Sequence, residues 1–348
     1  MKKIQRAVGH FVFVLLVFAL GCGSSRGRGA PELKSVDEDL LALVPEGIHV
    51  VLWMDLVAFR ASKLFAVLEE LLGSDFVVLE EAKSLDPIHN GDELVLALRS
   101  DSSNQGGQFL ALLKGKMTKD EVLASFSGAE GAVSEQLGSF ASIKTPEFVV
   151  VALTEHTFAI GSQPIVSQVV SLAEEGGVSL REREGFQDFA LGQSEVAKLA
   201  YRRGSVVPNL EQYGGGRPPI DFDAIASGLG ILKLDKGLEL NLFLDTETQM
   251  DAAAMAGELT ELRDKLRRNM FVLFLGVDWI LDRTAIAANK TSLKVDLALD
   301  ENDLQNLLQL ASRLKKIREL AGAMEGGSGM PFQLPAPDSV QTPKGGEE

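Results

Sequence analysis

The sequence has very little cysteine and histidine, which excludes several common kinds of site. One cysteine, Cys22, stands in 348 residues, and the four histidines are His10, His49, His89 and His156. A single cysteine cannot form an intramolecular disulfide, and no two histidines have the close spacing of a metal site. No dinucleotide fingerprint or phosphate-binding loop is present. We therefore expect no catalytic residue, no cofactor and no metal.

Basic residues are also scarce. The chain has 34 Lys and Arg against 49 Asp and Glu, a net charge of −15. Residues 1–21 carry Lys2, Lys3 and Arg6, so without them the net charge is −15 − 3 = −18. Such a body is repelled by phosphate backbones and by anionic lipid headgroups. This excludes nucleic acid as a partner, and we expect the body to stand off a membrane surface.

The N-terminus has the three parts of a secretory signal peptide. Lys2, Lys3 and Arg6 are followed by the unbroken apolar run 11–20, which ends at Gly21 and Cys22. This run is shorter than the roughly 20 apolar residues that cross a bilayer as a helix. An ordinary signal peptide with a chance cysteine is the alternative, but the position of the only cysteine favours a lipid-attachment site.

The ending Ala19-Leu20-Gly21-Cys22 resembles the lipobox of bacterial lipoproteins, although Ala19 and Leu20 are exchanged relative to its usual order. The resemblance implies cleavage before Cys22, a diacylglycerol on its thiol, and a further acyl chain such as palmitate on its new amine. Two or more chains are physically reasonable because one chain anchors only marginally. Gly23 is not the Asp of the inner-membrane retention signal. The resemblance therefore implies a protein anchored in the envelope, facing the periplasm or the cell surface, with the outer membrane favoured.

Hydrophobic periodicity in the rest of the chain predicts an α+β body of two similar units. Each unit is predicted to be an antiparallel sheet of hairpins covered by helices on one face. The predicted hairpin-plus-helix segments 147–175 and 284–320 are the most alike. The predicted divisions are a signal peptide (1–21), a lipidated Cys22 with a tether (22–35), a first unit (36–178), a second unit (179–322) and a disordered tail (323–348).

Local signals place several elements within these units. Asp55 and Ser162 are predicted helix N-caps, and Thr118 to Glu121 reads as a capping box. Residues 204–219, which contain three consecutive glycines, are predicted to form a long loop. The apolar stretch Phe271 to Leu281 is too short to cross a membrane and is predicted to be buried. Strands of the second half alternate in polarity, which indicates one buried and one open face.

The body also resembles a set of uncharacterised bacterial envelope proteins that includes the domain-of-unknown-function family numbered 3352. Leu43-Val44-Pro45-Glu46-Gly47 and Thr157-Phe158-Ala159-Ile160-Gly161-Ser162 carry that resemblance, which implies no known activity. We interpret the protein as a lipid-anchored, non-catalytic envelope protein with a structural or protein-binding role. The alternatives are a carrier of an apolar ligand and a hydrolase with dispersed residues. A large apolar cavity would favour the carrier, and a cleft with converging His, Asp and Ser would favour the hydrolase.

Overall fold

One antiparallel sheet organises the protein. The structure is a computed structural model that describes residues 39–72, 86–99, 107–180, 195–203 and 224–326. Twelve strands of these residues form a single sheet in the order β11-β12-β10-β9-β8-β1-β2-β3-β7-β6-β5-β4. The α+β class is confirmed.

The strands follow one another mainly as hairpins. Their bounds are β1 Val50–Asp55, β2 Gly91–Arg99, β3 Gln108–Gly115, β4 Val133–Leu137, β5 Phe140–Lys144, β6 Val149–Ala152, β7 Thr157–Gly161, β8 Glu195–Arg202, β9 Ile225–Lys233, β10 Leu238–Thr246, β11 Thr284–Asn289 and β12 Ser292–Leu299. The antiparallel pair β1–β8 joins the first half of the chain to the second. The sheet is therefore continuous across the predicted unit boundary.

Helices connect the hairpins, and a 3-10 turn at Leu40–Leu43 precedes the first strand. Within the described ranges the helices are α1 Leu56–Arg60, α2 Lys63–Leu72, α3 Pro87–Asn90, α4 Lys119–Ser127, α5 Gln163–Glu175, α6 Gln249–Arg267, α7 Met270–Leu275, α8 Asp278–Asp282 and α9 Glu301–Gly326. The last helix includes residues 323–326, so the prediction that the disordered tail begins at residue 323 is wrong for these four residues. The rest of that tail lies outside the described residues.

The two faces of the sheet are defined by the residues of β1. Face A carries Val51 and Trp53, and face B carries Leu52 and Met54, since successive side chains of a strand alternate. On face A, α5 buries Val166 and Val169 in the same core cluster as Val51. On face B, helices α1 to α4 pack against Leu52 and Met54, and the largest of their buried side chains are Phe59, Phe65 and Phe126. The first half is thus covered by helices on both faces, and the prediction of one covered face is wrong there.

The second half is covered by helices on face B alone among the described residues. Cross-strand neighbours share a face, and the register links Ala197 to Leu232, Leu240 and Leu297 in turn. Met255 of α6 packs on this face, as does Leu304 of α9. Face A of the same strands carries exposed Glu239, Lys294 and Ala298. In the described part of the chain this agrees with the predicted alternation, because one face is covered by helices and the other carries none.

The two halves repeat a strand order but not a helix position. Outward from the central pair, the first half runs β1-β2-β3-β7-β6 and the second runs β8-β9-β10-β12-β11. The helix after the third strand, α4 or α6, lies on face B in both halves. However, α5 lies on face A and α9 on face B. The predicted match between 147–175 and 284–320 therefore holds for the strands and is wrong for the helices.

Most local signals are confirmed. The Asp55 carboxylate accepts a hydrogen bond from the Ala58 N–H at 2.8 Å, and Thr118 forms the predicted capping box with Glu121. Ser162 is the N-cap residue of α5, but its hydroxyl accepts from the Phe109 N–H at 3.2 Å instead of from its own helix. That bond fastens the start of α5 to β3.

The structure differs from the sequence prediction at the hairpin β4–β5 and at the stretch 271–281. Strands β4 and β5 were not predicted. Strand β4 reads Val-Ser-Glu-Gln-Leu and is almost wholly exposed at the edge of the sheet, so it has no strand-like hydrophobic pattern. The stretch Phe271 to Leu281 was predicted to be buried, yet Leu273 is 50% exposed and Val272, Trp279 and Ile280 are only half-buried. The predicted loop 204–219 lies outside the described residues.

Candidate functional site

The predicted lipid-attachment residue, Cys22, lies outside the described residues, as does the tether that follows it. The described residues contain two other places where polar groups converge. One is a charged cluster on face A around Trp53, and the other is an open groove beside Arg99.

The Trp53 cluster consists of Trp53, Asp55, Glu93, Lys114, Lys198 and Glu195. The Trp53 indole N–H donates to Glu93 Oε1 at 2.6 Å. Glu93 lies directly opposite Asp55 on β1 and opposite Lys114 on β3. Lys198 lies opposite Trp53 on β8, and its Nζ is 2.6 Å from Glu195 Oε2. The cluster therefore spans β3, β2, β1 and β8, where the halves of the sheet meet.

Burial affects the charges of two residues of this cluster, Lys198 and Glu93. Lys198 is 5% exposed, so its ammonium depends on the carboxylate of Glu195 for compensation. Burial raises the pKa of Glu93, and the nearby Asp55 adds to that rise. The hydrogen bond from Trp53 and the charge of Lys114 oppose it. Glu93 is thus a carboxyl that holds its proton to higher pH than an exposed glutamate does.

The groove beside Arg99 has a volume of about 590 Å³. Its lining residues are Pro45, Glu46, Gly47, Arg99, Gln168, Ser171, Leu172, Gly176 and Val178. The Arg99 guanidinium donates from Nη2 to the Glu46 carbonyl at 2.5 Å and to Gln168 Oε1 at 2.7 Å. Burial lowers the pKa of Arg99. The walls are mixed in polarity and open to solvent, unlike the enclosed apolar cavity that a carrier needs.

The histidines of the described residues are placed separately. His89 Nδ1 is 2.8 Å from Asp86 Oδ1 at the start of α3, and Nε2 is 3.6 Å from Glu69 Oε1. His156 Nδ1 is 3.0 Å from the Met117 carbonyl. Across the ranges that the structure describes, no group of three or more His, Cys, Asp or Glu side chains is arranged to hold a metal ion.

Sequence reasoning missed the Trp53 cluster, although a signal for it was present. Lys114 ends the run Gln-Phe-Leu-Ala-Leu-Leu-Lys, and Lys198 interrupts Val-Ala-Lys-Leu-Ala. A charge inside an otherwise apolar strand is expensive to bury unless it has a partner. Lys114 and Lys198 therefore each indicate a buried carboxylate partner. Which carboxylate that is depends on the strand order.

Comparison with known proteins gives little guidance. No protein-family model matches the chain, and no curated protein matches it. The chain is similar to a solved structure described as crystal form IV of TP0453, with a TM-score of 0.44 and 12% identity over 80% of this chain and 95% of that chain. Crystal form I of TP0453 gives a TM-score of 0.42 and 13% identity over 78% and 97%. Likeness at this level is too distant to indicate a function.

In the described part of the chain, no helix combines the length and the apolar character that crossing a bilayer requires.

Proposed function

We propose that the chain is a lipid-anchored protein of the bacterial cell envelope that binds another envelope protein and catalyses no reaction. The observation that carries this proposal is the charged–apolar–Gly-Cys sequence ending at Cys22, which is the only cysteine of the chain. Acyl chains on Cys22 hold the protein at the membrane, and the outer membrane is the proposed location. Residues 23–35 tether the body to this anchor.

Face A of the second half, on which the described residues place no helix, supports a binding role. Helices cover face B of β9 to β12, while face A of these strands keeps half-buried Ile231 and Phe243 beside exposed Lys294. The Lys294 ammonium lies 5.5 Å from the centre of the Phe243 ring. Aromatic residues are enriched at the cores of protein interfaces, and polar residues form the rim around them. We assign the protein-binding role to this face.

The two-unit organisation is proposed for the strands alone. The matching orders β1-β2-β3-β7-β6 and β8-β9-β10-β12-β11 support a duplicated five-strand unit. Because α5 and α9 lie on different faces of the sheet, the proposed duplication does not include these helices. Pairing β1 with β8 then joins the two copies edge to edge, which removes two exposed sheet edges.

The anchor is tested by replacing Cys22 with Ala in the full chain. We expect the wild type in the membrane fraction and C22A outside it, or retained there only as the uncleaved precursor. Ser24→Ala changes a neighbouring tether residue and should leave the protein in the membrane fraction. Recovery of processed C22A in membranes at the wild-type level would contradict the proposal.

The binding face is tested by recovering the anchored protein from membranes together with its partner. Ala298→Arg adds a large charged side chain to exposed face A, and Ala254→Arg makes the same change on an exposed position of α6. We expect Ala298→Arg to lose the partner that wild type retains and Ala254→Arg to keep it. Equal recovery of the partner with both variants would show that face A does not bind it.

A further inference from the structure

The groove beside Arg99 contains a cation that lacks a counter-ion. The Arg99 guanidinium donates from Nη2 to the main-chain carbonyl of Glu46 and to Gln168 Oε1, so both of its acceptors are uncharged. With the residues that the structure describes, half-buried Arg99 forms no ion pair, and its Nε is buried without a hydrogen-bond acceptor. Burying a charge without a partner of opposite sign is unfavourable. An anion in the groove would supply that partner.

Arg99 also has donors left for a ligand. A guanidinium carries five N–H groups, one on Nε and two on each terminal nitrogen. Those of Nη2 are used within the protein, and that of Nε is buried. The two N–H groups of Nη1 meet no acceptor among the described residues. Nη1 is therefore the part of the guanidinium that can donate to a bound anion.

Gln168 and Ser171 add two uncharged donors to the lining of the groove. They lie three residues apart on α5, so they are neighbours on its surface, and both are exposed. Because Arg99 has donors only, its bond to Gln168 turns Oε1 toward the guanidinium and leaves the amide NH2 group to donate elsewhere. Guanidinium, amide and hydroxyl donors thus line one groove.

Apolar side chains complete the lining. Leu172 is half-buried, and Val178 is 56% exposed, so a ligand in the groove would cover both. The volume of about 590 Å³ lies within the range of small-molecule sites, which is roughly 300–1,000 Å³. The groove therefore combines hydrogen-bond donors for a charged group with an apolar surface beside them.

We propose that this groove binds a small monocarboxylate that carries an apolar group. One carboxylate matches the single cation of the lining, and a guanidinium binds the two oxygens of a carboxylate well. Exposed Glu46 also lines the groove and would repel a second negative charge, which disfavours a phosphate ester. The site goes beyond the proposed function and depends on neither the lipid anchor nor face A of the second half.

Ligand-observed NMR titration of the full-length protein purified from membranes tests the site with a matched pair of probes. N-acetylleucine has a carboxylate beside an apolar side chain, and N-acetylleucinamide has nearly the same shape without the charge. We expect the acid to bind and the amide to bind about tenfold more weakly or less, because hydrogen bonds to charged groups are stronger than those between neutral groups.

Gln168→Glu tests whether Arg99 is the group that recognises the acid. The change keeps the length of the side chain and its acceptor for Arg99, and it supplies a carboxylate from the protein itself. Binding of N-acetylleucine should therefore fall about tenfold. Gln163→Glu makes the same change at an exposed position of α5 outside the groove and should leave binding unchanged. A melting temperature of each variant at or above that of wild type shows that the fold is intact.

Three results would overturn the carboxylate site. These are no binding of the acid to wild type, equal binding of the acid and the amide, and undiminished binding of the acid to the folded Gln168→Glu protein. Ala298→Arg on face A of the second half should not change the affinity for the acid. Failure of the protein-binding proposal and failure of this one can therefore be told apart.

Discussion

At the scale of single residues, the Trp53 cluster shows how the sheet keeps charge on a covered face. Glu93 is bound to the Trp53 indole, and Lys198 is paired with Glu195. Both Glu93 and Lys198 lie in strands that also contain runs of apolar residues. The pairing of these charges depends on a strand order that local sequence patterns do not specify.

Glu93 is expected to make stability depend on pH. Burial raises its pKa above 4.5 in the folded protein, so folding favours the protonated carboxyl. This favourable contribution is fully present below the unfolded pKa and is lost as the pH rises through the folded pKa. Glu93→Gln keeps an oxygen acceptor for Trp53 and cannot ionise. We expect the melting temperature of E93Q minus that of wild type to increase between about pH 4 and about pH 8.

The control for this measurement is Glu239→Gln, an exposed glutamate on the same face of the sheet. Its difference from wild type should stay nearly constant over the same pH interval. An E93Q difference that falls with rising pH would mean that the carboxylate form of Glu93 is the one that the fold stabilises.

At the scale of elements, the sequence predicted which segments are helices and strands better than where the helices lie. An apolar stripe, such as that of α5, shows that a helix has one buried side, but it does not choose between the two faces of a sheet. The structure places α5 on face A and its counterpart α9 on face B. The edge strand β4 escaped prediction because its exposed residues carry little hydrophobic pattern.

The packing of α9 against α2 links the end of the chain to its beginning. Lys315 Nζ is 3.2 Å from Glu70 Oε2, and Lys63 forms an ion pair with Glu301. Leu304 is 3% exposed, and its core cluster includes Leu64 of α2 at the edge. Leu304→Ala should therefore lower the free energy of unfolding by about 2–5 kcal/mol, as large-to-small changes in cores do. Urea denaturation followed by circular dichroism measures this loss.

Leu266→Ala is the matched control for this change, because Leu266 is exposed on α6. Its effect should stay within about 0.5 kcal/mol of wild type. An equally small effect of Leu304→Ala would show that α9 does not pack on the sheet as described.

At the scale of the whole molecule, the single sheet makes the two halves depend on each other. Separating them would expose the paired edges of β1 and β8, where Val51, Leu52, Leu199 and Ala200 are buried. We expect differential scanning calorimetry of the mature protein to show one cooperative transition. Two well-separated transitions would instead indicate that the units 36–178 and 179–322 fold independently.

The central claim concerns the N-terminus, and one measurement tests it most directly. Mass spectrometry of the N-terminal peptide of the protein isolated from its native membrane reports both cleavage and modification. We predict a peptide that begins at Cys22 and carries a diacylglycerol on the thiol, with a further acyl chain on the amine. A peptide with an unmodified thiol at Cys22 would contradict the lipid anchor and the envelope function built on it.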